Sequence, residues 1–218
     1  MTLRLAHRGD WRVGPENGLR ALLAGATAPR SDGVEFDVLL AADGTPVVIH
    51  DADLRRVQGV DAAVAELTAA ELAPYEVPAL VTVLDALPSE AFLDVELKVR
   101  PNAELARVLV GARGEEPERA VVSSFEPRAL RALADMAPGW PRWLNVVALS
   151  DPVIAAARDL GCAGVSAEWH AVTPASVRLC RRAGLDLAAW TVRRRPTFDR
   201  LARLGVVAVC VEAAALDG

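Results

Sequence analysis

The last third of the sequence repeats one pattern, in which a short apolar segment is followed by a helical segment that begins near a proline and ends at a glycine. Pro152 and Pro196 lie where two of these helices begin, and Gly161, Gly184 and Gly205 lie where three of them end. Proline suits the first turn of a helix, and glycine suits the position just past its end. The closing glycines are 23 and 21 residues apart, which is the length of one strand and one helix. The pattern therefore predicts repeated βα units and a parallel sheet.

The rest of the chain extends this alternation. Eight main strands are predicted between Leu3 and Val211, with helices between most of them, together with one strand that returns from a hairpin. We therefore expect a closed, all-parallel (β/α)8 barrel formed by residues 1–218 as a single domain. The alternative is an open, doubly wound sheet, which would require a Gly-rich phosphate loop after an early strand, and the sequence has none. Thr68 and Glu71 form a capping-box pattern that predicts one short helix after the hairpin.

Residues 33–50 read as a strand, a tight turn and a returning strand. Asp43-Gly44 is a strong signal for a two-residue turn, and that turn would place Asp37 opposite His50. Glu35 would then share their face of the sheet, because side chains two residues apart on a strand point the same way. Two carboxylates beside an imidazole indicate either a metal site with a histidine for proton transfer, or a solvated hairpin with its polar side chains outward.

Composition excludes several classes of protein. The hydrophobic content of 52% supports a sizeable core, but no apolar run is long enough to span a bilayer, so we expect no stable membrane insertion. A formal charge of −5 argues against a nucleic-acid partner.

The N-terminal residues become charged too early for a secretory signal. Cys162, Cys180 and Cys210 lack metal-ligand spacing, so we expect buried free thiols and a cytoplasmic location. Nothing in the sequence indicates an oligomeric state.

Polar residues collect at the predicted strand ends, where barrels of this kind place their active sites. They are His7-Arg8, Glu35 and Asp37, His50, Glu96 and Lys98, Ser123-Ser124, Glu168 to His170, and Trp190-Thr191. Three carboxylates without a cysteine favour Mg²⁺ or Ca²⁺ over zinc. Two histidines can divide the roles of acid and base, and an arginine with a lysine can hold a phosphate. The set as a whole indicates phosphoryl transfer.

Six short motifs resemble the glycerophosphodiester phosphodiesterase family in their order and spacing. They are His7-Arg8-Gly9, Pro15-Glu16-Asn17, Glu35-x-Asp37, His50-Asp51, Glu96-x-Lys98 and Trp190-Thr191-Val192. The resemblance covers nearly the whole chain. It implies a TIM barrel that cleaves a phosphodiester to glycerol 3-phosphate and an alcohol, with a neighbouring substrate hydroxyl attacking first and water opening the resulting cyclic phosphate.

The resemblance also implies roles for individual residues. Glu35, Asp37 and Glu96 would bind a divalent cation, His7 and His50 would be the general acid and base, Arg8 and Lys98 would contact phosphate, and Trp190 would line the pocket for the glycerol or alcohol portion. Residues 52–78 would form a small insertion that caps the mouth and leaves the site open. Trp169 and His170 match no fixed motif of the family, and they would either contact substrate or pack on the rim.

Three departures from the family pattern stand out. Gly18 follows the Pro15-Glu16-Asn17 motif where the family usually has threonine, and Arg193 stands where asparagine is common. The last strand, Val206–Glu212, lacks the usual glycine-containing ending on Thr-Asp. We expect these changes to affect specificity more than catalysis.

Two other functions remain open at this stage. A lysophospholipase D would act on a substrate that keeps one acyl chain, although four Phe and one Tyr make an aromatic lipid tunnel unexpected. A barrel that binds a phosphorylated ligand without turnover would lack a histidine or a metal carboxylate, and this chain keeps all of them.

Overall fold

Nine strands alternate with helices along the chain in the computed structural model, which describes residues 1–218. In chain order the strands are β1 (Leu3–His7), β2 (Gly33–Leu40), β3 (Pro46–Val48), β4 (Phe92–Leu97), β5 (Ala120–Ser124), β6 (Arg142–Val146), β7 (Gly164–Glu168), β8 (Asp186–Val192) and β9 (Ala208–Val211). All of them except β3 pair in parallel, in the order β1-β9-β8-β7-β6-β5-β4-β2. Pairing of β1 with β2 closes the barrel, so the predicted TIM barrel is confirmed.

Ten α-helices connect or flank these strands. They are α1 (Leu19–Ala26), α2 (Arg55–Gln58), α3 (Ala69–Leu72), α4 (Leu80–Ala86), α5 (Ala103–Arg113), α6 (Pro127–Met136), α7 (Asp151–Asp159), α8 (Pro174–Ala183), α9 (Arg195–Leu204) and α10 (Ala214–Asp217). Three 3-10 turns lie at Val64–Glu66, Ala73–Tyr75 and Trp169–Ala171. None of the helices is long and apolar enough to cross a membrane.

Helix α8 shows how local sequence sets the helix ends. The Thr173 hydroxyl accepts a hydrogen bond from the Ser176 amide, and the Ser176 hydroxyl in turn accepts one from the Thr173 amide. Pro174 occupies the first turn, and Gly184 ends the helix in the left-handed conformation. These residues satisfy the amide groups that a helix leaves free at its start and reverse the chain at its end.

The barrel interior has an apolar layer below a polar one. Leu5, Val121, Trp143 and Ala208 belong to a small buried cluster inside the barrel, apart from the larger core between strands and helices. Side chains two residues further along these strands point to the same interior, because strand side chains alternate. In β1 that position is His7. Apolar side chains therefore fill the base of the barrel interior, and polar side chains lie at the C-terminal ends of the strands.

The hairpin differs from the sequence prediction by one residue. Val38 pairs with Val48 and Leu40 with Pro46, and the Ala41 amide donates to the Thr45 carbonyl, so residues 42–44 form a three-residue loop rather than the two-residue turn Asp43-Gly44. Gly44 adopts a φ of +80° in that loop. Asp37 therefore does not lie opposite His50, and this prediction was wrong. The predicted convergence still occurs, because β3 ends at Val48 and the following residues turn back over the barrel mouth.

The segment between β3 and α4 has its own small core. Eight buried apolar residues, including Leu39 and Val47 of the hairpin and Leu54 and Leu72 of the segment, form a cluster separate from the barrel core. The predicted capping box of Thr68 and Glu71 is present at the start of α3. The segment also contains α2 and two 3-10 turns, so it is more structured than the one helix expected.

Candidate active site

A cavity of about 240 Å³ opens at the C-terminal ends of the strands. Seven of the eight predicted site residues line it, and these are His7, Arg8, Glu35, His50, Glu96, Lys98 and Trp190. The eighth, Asp37, is fully buried beside them. The structure therefore brings together all eight predicted site residues. Of the other polar residues at the strand ends, Ser123 and Thr191 also line the cavity, whereas Ser124, Trp169 and His170 do not.

Three carboxylates form the most concentrated charge in this cavity. Glu35 and Asp37 project from β2, and Glu96 projects from the position in β4 that pairs with Asp37. One carboxylate oxygen of each residue lies within 4.8 Å of one oxygen of the other two, and such a group of three oxygens could hold a metal ion. Burial, reinforced by the neighbouring negative charges, raises the pKa of Glu35 well above its usual value and also raises the pKa of Glu96.

Asp37 carries the opposite shift because two cations contact it. Lys98 Nζ and Arg8 Nε each lie 3.1 Å from a different oxygen of its carboxylate. Burial works against the ionised form, but the charges of Lys98 and Arg8 outweigh it and lower the pKa of Asp37. Lys98 also contacts Glu96. The cluster therefore has one firmly ionised carboxylate next to two whose ionisation is opposed.

The loop after β1 fixes Asp37 and Arg8 in place. Asn17 donates a 2.8 Å hydrogen bond to Asp37 Oδ2 and accepts one from the Asp37 amide. Arg8 and Asn17 both adopt a positive φ, at 57° and 63°. Such a conformation is costly for arginine and is found where surrounding contacts impose it. Gly9 follows with a φ of +82°, where a Cβ would lie 2.4 Å from the backbone of α1. Asn17 belongs to the Pro15-Glu16-Asn17 motif, but nothing in the sequence assigns it a role at the site.

His7 is held by a residue near the end of the chain. Its Nδ1 lies 2.6 Å from Glu212 Oε1, and its Nε2 lies 3.7 Å from Glu35 Oε2. Glu212 is 6% exposed and also accepts a 2.7 Å hydrogen bond from Arg193 Nε. Arg193 and Glu212 were both predicted to affect the substrate side. They contact each other at the mouth, and Glu212 also contacts His7. The sequence signal for Glu212 is its place directly after the last strand, which a closed barrel pairs with β1, the strand that ends at His7.

His50 is anchored by its sequence neighbour. Its Nδ1 lies 2.6 Å from Asp51 Oδ1, which leaves Nε2 free of that contact. Burial, which outweighs the negative charge of Asp37, lowers the pKa of His50 below its usual value. A neutral ring at physiological pH is suited to accepting a proton.

A chain of ion pairs links the two sides of the mouth. Arg56 in α2 donates to Asp51 at 2.6 Å and to both carboxylate oxygens of Glu16 at 2.6 and 3.0 Å. Glu16 also accepts a 2.7 Å hydrogen bond from Arg8. The partner of His50 is thereby connected through Arg56 and Glu16 to the arginine that contacts Asp37. Neither Glu16 nor Arg56 was identified from the sequence as a site residue.

The floor of the cavity holds a fourth carboxylate. Asp94 is buried on β4 beside Glu35, and burial raises its pKa to about 7. Ser123 and Asn145 lie next to it and are hydrogen-bonded to each other. On the opposite wall Trp190 donates to the Ser166 carbonyl at 3.0 Å and meets the Phe125 ring edge-on at 5.3 Å. The cavity is therefore acidic at its base and aromatic at one side.

Comparisons with known proteins agree with this geometry. The model of the glycerophosphoryl diester phosphodiesterase family matches residues 7–92 and 85–216. The chain belongs to this family. A glycerophosphodiester phosphodiesterase of Caldanaerobacter subterraneus subsp. tengcongensis is 30% identical to it over 94% of this chain and 91% of its own.

Two further relatives add a structure and a second activity. The solved structure of an Oleispira antarctica phosphodiesterase in complex with the product sn-glycerol-3-phosphate has a TM-score of 0.83 and 27% identity, covering 97% of this chain and 93% of its own. A lysophospholipase D of Rattus norvegicus is 28% identical over 50% of this chain and 40% of its own. The family assignment, and with it the phosphodiesterase class predicted from the motifs, is therefore confirmed.

Proposed function

We propose that this member of the glycerophosphoryl diester phosphodiesterase family hydrolyses glycerophosphodiesters to glycerol 3-phosphate and an alcohol, using a divalent cation and two histidines. The observation that carries the proposal is the convergence of His7, His50 and the three-carboxylate cluster on one cavity that also contains Arg8 and Lys98. Such a set supplies proton transfer, positive charge and phosphate contacts at a single reacting centre.

Glu35, Asp37 and Glu96 would hold the cation. Their fit is supported by Glu35 Oε1, which is buried and has no hydrogen-bond partner, and by the raised pKa values of Glu35 and Glu96. An all-oxygen set of donors suits Mg²⁺ or Ca²⁺. When bound, such an ion supplies positive charge that polarises the phosphoryl oxygens. Arg8 and Lys98 would contact the same phosphate, and Trp190 would line the pocket for the glycerol or alcohol portion.

The two histidines would serve opposite ends of the phosphorus. Attack by a neighbouring hydroxyl of the substrate requires loss of its proton, and departure of the alcohol requires gain of one. His50, with its lowered pKa, is suited to accept the first proton. His7 is oriented by the 2.6 Å contact of its Nδ1 with Glu212, which leaves Nε2 on the side of Glu35 and the cavity, where it would supply the second proton. Water then opens the cyclic phosphate with the two roles exchanged.

Two broader assignments belong to the same proposal. We propose that residues 1–218 act as one domain in which residues 52–78 cap one side of the mouth, as the contacts of Arg56 with Asp51 and Glu16 support. We also propose a cytoplasmic location, because Cys162, Cys180 and Cys210 are buried free thiols of the kind that reducing compartments maintain.

The decisive experiment is release of glycerol 3-phosphate from glycerophosphocholine and glycerophosphoethanolamine with Mg²⁺, with Ca²⁺ and with EDTA. We expect release with at least one ion and none with EDTA. Release that survives saturating chelator would contradict the cation assignment. Lysophospholipids form a second substrate arm, because a lysophospholipase D matches half of this chain. Folded protein that cleaves no phosphodiester would contradict the proposal as a whole.

A further inference from the structure

A second recess opens directly beside the candidate active site. It has a volume of about 530 Å³, and Trp190 and Thr191 line both cavities. The two spaces are therefore neighbours across one short piece of β8. A substrate with its scissile phosphate over the carboxylate cluster can extend its alcohol portion past Trp190 into this recess.

The recess is lined by two arginines whose charged groups are available. Arg193 uses Nε to bind Glu212 at 2.7 Å, and its two terminal amino groups make no hydrogen bond or ion pair within the protein. Arg194 is exposed, and its guanidinium has no protein partner at all. No carboxylate lines the recess. The recess therefore carries a positive charge, from Arg194 and the free side of Arg193, in a chain whose net charge is −5.

The opposite wall is fixed and partly aromatic. Trp169 lines it, and the Arg200 guanidinium lies 5.7 Å from the centre of the Trp169 ring while donating to the Val172 carbonyl at 3.1 Å. Arg200 therefore fixes the position of Trp169, whereas Arg193 and Arg194 line the recess and are available to a ligand. Thr197 adds a hydroxyl group that can donate or accept a hydrogen bond.

We infer that this recess is the head-group subsite and that it takes an alcohol portion carrying a second anionic group, such as a phosphate monoester. The inference rests on the proposed phosphodiesterase function. Guanidinium groups bind phosphate through charge-assisted, often bidentate hydrogen bonds. A quaternary ammonium head group would instead need an aromatic cage free of competing cations. Attack at phosphorus breaks the bond to the head-group oxygen, and the released alcohol keeps its own phosphate.

The test compares two substrates that differ by one phosphate, glycerophosphoglycerol and its terminal phosphate monoester. At low ionic strength we expect kcat/KM to be about tenfold higher for the monoester, and the ratio to fall with added salt. Arg194→Gln should reduce the ratio to about twofold, with most of the loss in kcat/KM falling on the monoester. Arg203→Gln is the matched control, because it removes the same charge about 13 Å away at the other end of α9.

Three kinetic results would overturn the inference. They are hydrolysis of glycerophosphoglycerol without any preference for the monoester, an equal loss on both substrates in Arg194→Gln, and an equal effect of Arg203→Gln. Calorimetric binding of the monoester to chelator-treated protein gives a readout that does not depend on turnover. Binding about tenfold weaker in Arg194→Gln than in wild type supports the subsite, and equal binding refutes it. Failure to cleave glycerophosphocholine or either glycerol substrate with any ion contradicts the proposed function instead.

Discussion

Replacing Glu212 by glutamine should destabilise the protein by an amount that depends on pH. Hydrogen bonds to His7 and Arg193 outweigh the effect of burial and lower the pKa of Glu212 to about 2, from an ordinary value of 4.5. A shift of this size corresponds to about 3 kcal/mol of unfolding free energy at pH 7. The pKa is lower in the folded state, so this stabilisation is complete above the unfolded pKa and disappears as pH falls toward 2. About 1 kcal/mol should remain at pH 3.

Denaturant and thermal unfolding of wild type and Glu212→Gln at pH 7 and pH 3 measure this effect. At pH 7 we expect a loss of about 3 kcal/mol, or roughly 6–12 °C in Tm for a chain of this length. Arg193→Gln is the control. It removes only the partner whose side chain is 74% exposed, and should cost less than about 1 kcal/mol. A Glu212→Gln variant as stable as wild type at pH 7, or one with the same deficit at both pH values, would refute the reasoning.

The same variant should also lose activity. Glutamine can still accept a hydrogen bond from His7 Nδ1, but a neutral acceptor forms a weaker bond than a carboxylate, so the orientation and tautomer of the ring are fixed less firmly. We expect kcat to fall by about 10- to 100-fold with little change in KM, which is less than the roughly 10²- to 10⁴-fold that a general acid or base contributes, because the imidazole itself remains. Steady-state kinetics on glycerophosphocholine measure both constants.

Three further variants test the rest of the site. His50→Ala should lower kcat by about 10²- to 10⁴-fold in steady-state assays, with circular dichroism unchanged because the side chain is 32% exposed. Glu35→Gln should weaken Mg²⁺ or Ca²⁺ binding at least about tenfold by calorimetry, while the metal-free protein stays at least as stable as wild type, since a repelled buried charge is removed. Asn17→Ala should cost about 1–3 kcal/mol in urea unfolding with chelator, because Asp37 loses a buried hydrogen bond. Equal stability of Asn17→Ala and wild type would show that Lys98 and Arg8 suffice to hold Asp37.

Much of the fold could be predicted because local sequence signals coincide with element ends. Helix α9 has the predicted Pro196 in its first turn, and α8 and α9 both end at the residue before the predicted glycines, Gly184 and Gly205. The hairpin register could not be predicted in the same way. Gly44 supplies a positive φ that suits a two-residue turn as well as a three-residue loop, and only the packing of β3 against its neighbours decides between them.

The site residues also fall into those that the sequence identifies and those that only the structure reveals. Residues within motifs, such as Glu35 and Lys98, were identified because their types and strand-end positions already indicate chemistry. Glu212 was noticed only as a departure from the family. Its contact with His7 joins residues 205 positions apart and exists only because β1 pairs with β9 when the barrel closes. Arg56 was missed because it lies on a four-residue helix in a segment with little periodicity.

Residues 52–78 consist of two parts that differ in how much sequence change they can tolerate, because only the first part, with Arg56, contacts residues of the active site. The first turn is tied to the chemistry, because Arg56 bridges Asp51 and Glu16, which in turn hold His50 and Arg8. The remainder, from residue 59 to residue 78, packs on the hairpin and on its own small core. Residues 59–78 can therefore be lengthened, shortened or exchanged, by evolution or by design, to change the entrance of the cavity. The catalytic groups would stay in place as long as Arg56 is kept.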